Sequence, residues 1–178
     1  MNNNIPTFAF TTTNPRFVRE IITEAEVSIP HVGNPTAEFI KTSALWDTGA
    51  TNSVITPLLV DKLGIKSITQ IRSLHAGGES IADVYMIDIV LPNKLVIPNV
   101  KVSKCAEQGG RFGIIIGMDI ISMGDFSISG QYPRRMVSFC LPSSIHVDYV
   151  RLLQQRDMLI ANQKEQIDNN AKGNNTQT

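Results

Sequence analysis

The chain has 178 residues and a mass of 19.6 kDa, with 42% apolar and 18% charged residues. Sixteen basic residues balance sixteen acidic ones, which argues against a dedicated nucleic-acid binder, because neutralising phosphates takes a clustered basic excess, and against an acidic disordered protein. At this size a chain buries ~70% of its unfolded surface, so a single core forms without disulfide staples.

No apolar run approaches the ~18 residues that span a bilayer. The start, Met1-Asn2-Asn3-Asn4-Ile5-Pro6, lacks the basic and apolar regions of a signal peptide. These features predict a cytoplasmic protein with no membrane and no nucleic-acid partner. Cys105 and Cys140 stand apart, without a CxxC spacing or a nearby histidine, and read as two half-buried thiols.

Residues 1–18 form a polar N-terminal extension, loose or a leading strand. Arg19–Ile29 and Ala37–Trp46 read as two strands joined across Pro30 and Gly33-Asn34-Pro35. Thr56 is a fair N-cap, Pro57 suits the first helical position and Gly64 a stop. A short helix is expected between them, with Leu58, Leu59 and Leu63 on one face. Ile68–Leu74 and Ile81–Leu91 are extended runs around His75-Ala76-Gly77-Gly78-Glu79-Ser80, and the glycine pair marks a hairpin tip. Leu95–Val102 is another strand, and Phe112–Ile121 is the most apolar stretch of the chain. Phe126–Ser129 and Met136–Leu141 make a closing hairpin. The domain is therefore all-β and spans 19–142, followed by an appended helix at 143–168 and a disordered Asn/Gln-rich tail at 169–178.

Asp47-Thr48-Gly49 at the end of an apolar strand is the most informative feature. A carboxylate there sits on a tight loop facing a cleft, and the glycine lets another backbone approach. Two such carboxylates meeting face to face cannot both ionise. They share a proton and hold a water that one deprotonates while the other protonates a carbonyl. That is peptide hydrolysis by general acid–base catalysis, without a covalent intermediate. The plainer reading of Asp47 is a turn carboxylate, and Asp119 reads as a first-turn helix acid favoured by the dipole. His75 reads as a solvated loop histidine, Trp46 as core packing, and His31 and His146 lack motif partners. HExxH, P-loop, GxGxxG and GxSxG patterns are absent, and neither metal nor cofactor is expected.

Asp47-Thr48-Gly49-Ala50, then a glycine-tipped hairpin, then Ile115-Ile116-Gly117 opening a helix, resembles the retropepsin family of single-domain aspartic proteases over roughly Glu20–Leu141. The resemblance implies a closed acid-protease barrel, an active site at a homodimer interface and peptide or protein substrates. It places catalysis on Asp47, Thr48 and Gly49, with Thr48 bonding across the two-fold axis and Gly49 offering its carbonyl to substrate. Ala50, Thr51, His75, Ala76, Gly77 and Gly78 are the implied substrate contacts, with Gly77 and Gly78 as the mobile flap. Ile115, Ile116 and Gly117 support the site. No second Asp-Thr-Gly or Asp-Ser-Gly occurs, so the partner carboxylate has to come from another copy. The viral enzymes carry an aspartate and an arginine that form an ion pair where this chain has Thr51 and Met118. Both partners are missing together, so no unpaired charge is left buried. The Phe126–Leu141 hairpin is expected to supply part of the interface instead.

Overall fold

The computed structural model describes residues 8–32, 36–75, 78–105 and 110–174. The chain divides into two compact units, Met1–Ser144 and Ile145–Thr178. The first is built from strands β1 (Phe8–Asn14), β2 (Ile21–Ser28), β3 (Ile40–Trp46), β4 (Val54–Ile55), β5 (Thr69–His75), β6 (Gly78–Val90), β7 (Val96–Lys104), β8 (Ile114–Ile116), β9 (Asp125–Ser129) and β10 (Arg135–Leu141). Helix α1 (Pro57–Leu63) follows β4 and α2 (Met118–Ile121) follows β8. The second unit contains α3 (Tyr149–Asn174), which runs past residue 168. Asp148 caps α3, its Oδ1 accepting from the amides of Val150 and Arg151.

Seven strands form one sheet in the order β2-β3-β8-β4-β7-β6-β5. β2 also pairs with the C-terminal end of β6, Val27 opposite Ile89. That pairing closes six of the strands into a barrel, which removes their open edges. β5 is left outside the ring, paired only with β6. The alternation of apolar residues explains the filling. Val27, Ala44, Ile55, Ile87, Ile89, Val102, Ile114 and Ile116 point inward and are buried. The three-stranded sheet β1-β10-β9 packs onto this barrel through aromatic rings. Trp46 stacks on Phe126 at 5.4 Å and tilts against Phe10 and Phe139 at 5.8 and 5.1 Å. Its indole Nε1–H donates to Thr23 at 2.9 Å, so the buried ring keeps its polar partner. The leading strand foreseen in the N-terminal extension is β1, which pairs along its whole length with β10.

Helix α1 departs from its expected details. Thr56 occupies the N-cap position but makes no side-chain cap bond, and Gly64 ends the helix in the left-handed region at φ 62°. Leu58 is exposed while Leu59 and Val60 are buried, so the inner face is turned by about one residue from the sequence reading.

The long strand β6 belongs partly to the barrel and partly to the β5–β6 hairpin. A bulge separates these roles. The β6–β7 register shifts between Ile87 and Ile89, and Asn99 opposite adopts φ 57°. The extra residue lies in β7, so β6 keeps its alternation, and Asp88, between the buried Ile87 and Ile89, is itself only 2% exposed. Its carboxylate accepts from the Asn99 amide at 2.8 Å, the His31 amide at 2.9 Å and His31 Nδ1 at 3.1 Å. His31, without a motif partner in sequence, thus has one in space and also stacks on Phe39. Burial is the largest single influence on the Asp88 carboxyl and pushes its pKa up. The Asn99 and His31 amides and the His31 ring together outweigh it and hold the carboxyl below its usual value.

A carboxyl lowered in this way adds stability above its unfolded value, ~4, and loses it as pH falls through the folded value. Asp88→Ala leaves buried donors unpaired and is expected to cost about 2–3 kcal/mol at neutral pH, shrinking in acid. Urea denaturation at the two pH values checks this, and an equal loss at both contradicts it.

Candidate active site

Asp47 begins the loop that leaves β3 and returns as β4. β8 lies between those two strands, parallel to β3 and antiparallel to β4. The loop therefore straddles the end of β8, and its backbone is stitched to the segment that follows. The Asp47 amide donates to the Ile116 carbonyl at 3.0 Å, the Met118 amide to Ala50 at 2.8 Å and the Asp119 amide to Thr51 at 3.2 Å. Gly117 passes so close beneath the loop that a Cβ there would lie 2.6 Å from the Asn52 carbonyl carbon. Only glycine fits, which is the physical content of the apolar-apolar-glycine motif.

The half-exposed Asp47 side chain accepts from the Gly49 amide at 2.8 Å through Oδ1. Its Oδ2 has no partner among the described residues. One carboxylate oxygen is thus oriented by the loop while the other is available to a water or to another group. Thr48 and Gly49 are exposed at the loop tip, Ala50 is half-buried and Thr51 is exposed. Ile115 and Ile116 pair with Leu45 and Trp46 beneath the loop.

Sequence reasoning missed Ser53 and read Asp119 too simply. Asp119 does lie in the first turn of α2, but both of its carboxylate oxygens are engaged across the loop. Oδ2 accepts the Ser53 amide at 3.0 Å and Oδ1 the Ser53 hydroxyl at 2.8 Å. The fully buried Ser53 hydroxyl accepts in turn from the Gly117 amide at 3.1 Å. The chain Asp119–Ser53–Gly117 clamps the two ends of the Asp47 loop. Its only sequence signal is a serine six residues after Asp47 and an aspartate two residues after Gly117, too common to read alone.

The β5–β6 hairpin pairs up to His75 opposite Gly78, and Gly78 adopts φ 115°. Ala76, Gly77 and the His75 side chain lie outside the described residues. At the hairpin root the Asp83 carboxylate accepts from Lys104 Nζ at 2.6 Å and Gln70 Nε2 at 2.9 Å. The Lys104 bond, then the Gln70 bond, hold its carboxyl below the usual range. Lys104 sits on β7, so the root of the hairpin is tied to the barrel. A cleft of about 480 Å³, lined by residues such as Glu24, Lys41, Val90 and Lys94, does not include Asp47 in its walls. Among the described residues no cluster of three metal-binding side chains occurs, and no helix is long and apolar enough to cross a membrane.

Residues 37–120 match a family described as aspartyl protease, and this segment holds both the Asp47 loop and the clamp. A retropepsin-like aspartic protease from Rickettsia conorii shares the fold, with a TM-score of 0.50 and 18% identity over 76% of this chain and 96% of that one. The chain thus carries an aspartyl protease family segment on a retropepsin-like fold. Two further solved structures are similar over shorter spans. The simian foamy virus protease is 19% identical, covering 56% of this chain and 92% of that one, with a TM-score of 0.36. The retroviral protease-like domain of Ddi1 from Leishmania major is 16% identical, covering 60% and 79%, with a TM-score of 0.35. No curated protein matches the sequence.

The clamp yields a measurable coupling. Ser53→Ala and Asp119→Ala are each expected to destabilise this retropepsin-like domain by about 1–2 kcal/mol, and the double variant by little more than the worse single one. Additive losses in a double-mutant cycle speak against the clamp.

Proposed function

We propose that this chain is a homodimeric aspartic endopeptidase in which the Asp47 carboxylates of two subunits activate one water. The observation that carries the reading is the state of Asp47 itself. It stands once per chain, on a loop fixed at both ends, with one oxygen oriented by the Gly49 amide and the other without a partner among the described residues. Two such loops related by a two-fold axis bring two carboxylates together, and like charges at that range share one proton. One carboxylate then takes a proton from the water as the other gives one to the scissile carbonyl, and the roles reverse as the amine leaves.

The other site residues take the roles that the resemblance to the retropepsins implies. The Thr48 hydroxyl, exposed at the tip, bonds across the axis and locks the loops together. Gly49, beside it, presents its carbonyl to the backbone of an extended peptide. Ala50 and Thr51 line the adjoining subsite. The hairpin tip from His75 to Gly78 closes over the substrate, which pairs with it as an added strand. Ile115, Ile116 and Gly117 hold the loop from below. Part of the subunit contact is assigned to the β9–β10 hairpin, because Thr51 and Met118 offer no ion pair to serve that purpose. The same absence favours one alternative, a dimeric binding module of this fold without catalysis.

Asp47→Asn is expected to abolish cleavage of a peptide library, a loss of at least a thousandfold, while sedimentation still finds a dimer. Undiminished cleavage defeats the mechanism. A wild-type dimer that cleaves nothing across mildly acidic and neutral pH establishes the binding module instead. The active enzyme is expected to show a bell-shaped pH–rate profile whose two limbs belong to the carboxylate pair as a unit. A profile with a single limb counts against a shared proton.

A further inference from the structure

The register that sets Asn14 opposite Arg135 brings two segments distant in sequence, 15–19 and 130–135, to one end of the three-stranded sheet. Four of the chain's eight arginines gather there: Arg16, Arg19, Arg134 and Arg135. The Arg135 guanidinium lies between two rings, 5.8 Å from the centre of Phe17 and 6.0 Å from that of Tyr132. Its Nη1 donates to the carbonyls of Gly130 and Arg134 at 3.3 and 2.9 Å. None of the four has a carboxylate partner among the described residues. The adjacent Glu20 is taken by Arg111 at 2.6 Å. Asp125, the acid of β9, lies at the far end of that strand, where it accepts from Ser143 and Ser144. Exposed apolar side chains occur near this end, with Ile128 and Met136 on opposite faces of the hairpin. Phe17 is 55% exposed, Tyr132 77%, Ile128 52% and Met136 41%.

We infer that this sheet end is a peripheral docking surface for a lipid bilayer bearing anionic phosphate headgroups. The guanidinium fork matches phosphate oxygens, and four of them at one tip make a local field that the neutral chain as a whole lacks. Exposed rings and aliphatic side chains gain by leaving water for the headgroup boundary, while the cations stay among the phosphates. Nucleic acid is disfavoured because bases stack on free ring faces. The facing sides of Phe17 and Tyr132 are taken by Arg135. A second copy at this end is disfavoured because a two-fold contact through it sets four arginines against four, which leaves the subunit contact assigned to the β9–β10 hairpin to the opposite end of its strands, toward Asp125 and Leu141. No spanning segment is needed for this kind of attachment, so the lack of a long apolar run does not bear on it.

The test is cosedimentation of the full chain with vesicles of phosphatidylcholine, with or without phosphatidylglycerol. Binding is expected to the anionic vesicles alone and to weaken with salt. Arg16→Glu and Arg134→Glu, both at exposed positions, are each expected to weaken it about thirtyfold, since each reversal removes two units of charge. Arg16→Gln and Arg134→Gln, about fivefold each, serve should a reversal disturb the fold. Phe17→Ser is expected to weaken binding about tenfold, at high salt as well as low. Absence of binding to anionic vesicles, or arginine variants that bind as the wild type does, overturns the inference. Retention of a single-stranded uridine oligonucleotide with vesicles left unbound overturns it in favour of nucleic acid.

Discussion

The hydrogen-bond chain from Asp119 through Ser53 to the Gly117 amide is the constraint on which the site depends. A loop ending two strands would ordinarily be mobile, because its backbone groups find only water. Here a charged acceptor takes both donors of a buried serine, and the serine takes the amide of the one residue that passes beneath the loop. Charge-assisted bonds of this kind are stronger than neutral ones, and their fixed directions leave the loop one geometry. Asp47 inherits that geometry. Its own carboxylate contributes only one bond, to Gly49, and does not have to hold the loop that carries it. Two aspartates thereby stand in different states, one sealed in a network that supports the loop and one left half-exposed.

The barrel gives the loop and the hairpin beside it different support. Closure of β2 onto β6 completes a ring, and every strand in it has neighbours on both sides. β5 has one neighbour. The bulge opposite Asp88 lies near the point where the other edge of β6 passes from pairing with β2 to pairing with β5. Burying a carboxylate there is costly, and three donors offset the cost. On the opposite side the rings of Phe10, Phe126 and Phe139 seat the three-stranded sheet on Trp46, the residue just before Asp47. The terminal sheet and the strand that leads into Asp47 therefore share one packing cluster.

Local features were legible in the sequence and long-range ones were not. Alternation predicted most strands, proline and glycine bracketed α1, and Asp47-Thr48-Gly49 announced itself by residue type and by its place at a strand end. The inner face of α1 was misjudged because Leu58 and Leu59 are equally apolar, and only tertiary packing chooses between them. The Asp88 site depends on a bulge in β7 that brings the Asn99 amide to it and on His31 from a distant segment, and neither shows in the local pattern. Ser53 and Asp119 are 66 residues apart, and nothing in either neighbourhood refers to the other. The cut between β8 and α2 was readable, since a glycine after three isoleucines ends a strand, but the reason for that glycine is the Asn52 carbonyl above it.

Net charge shows the same limit from another direction. A chain with sixteen charges of each sign looks indifferent to polyanions, and as an average it is. Averages do not bind surfaces. Antiparallel pairing of β1 with β10 gathers arginines from residues 16–19 and 134–135 at one strand end, while the nearby acid is consumed by an arginine from elsewhere. Interaction energy between charges falls with distance and screening within about 10 Å, so neighbouring cations act together where the one acid beside them, Glu20, is already paired with Arg111. A composition argument excludes a uniformly basic protein. Only the register of two strands determines whether a neutral one carries a basic face.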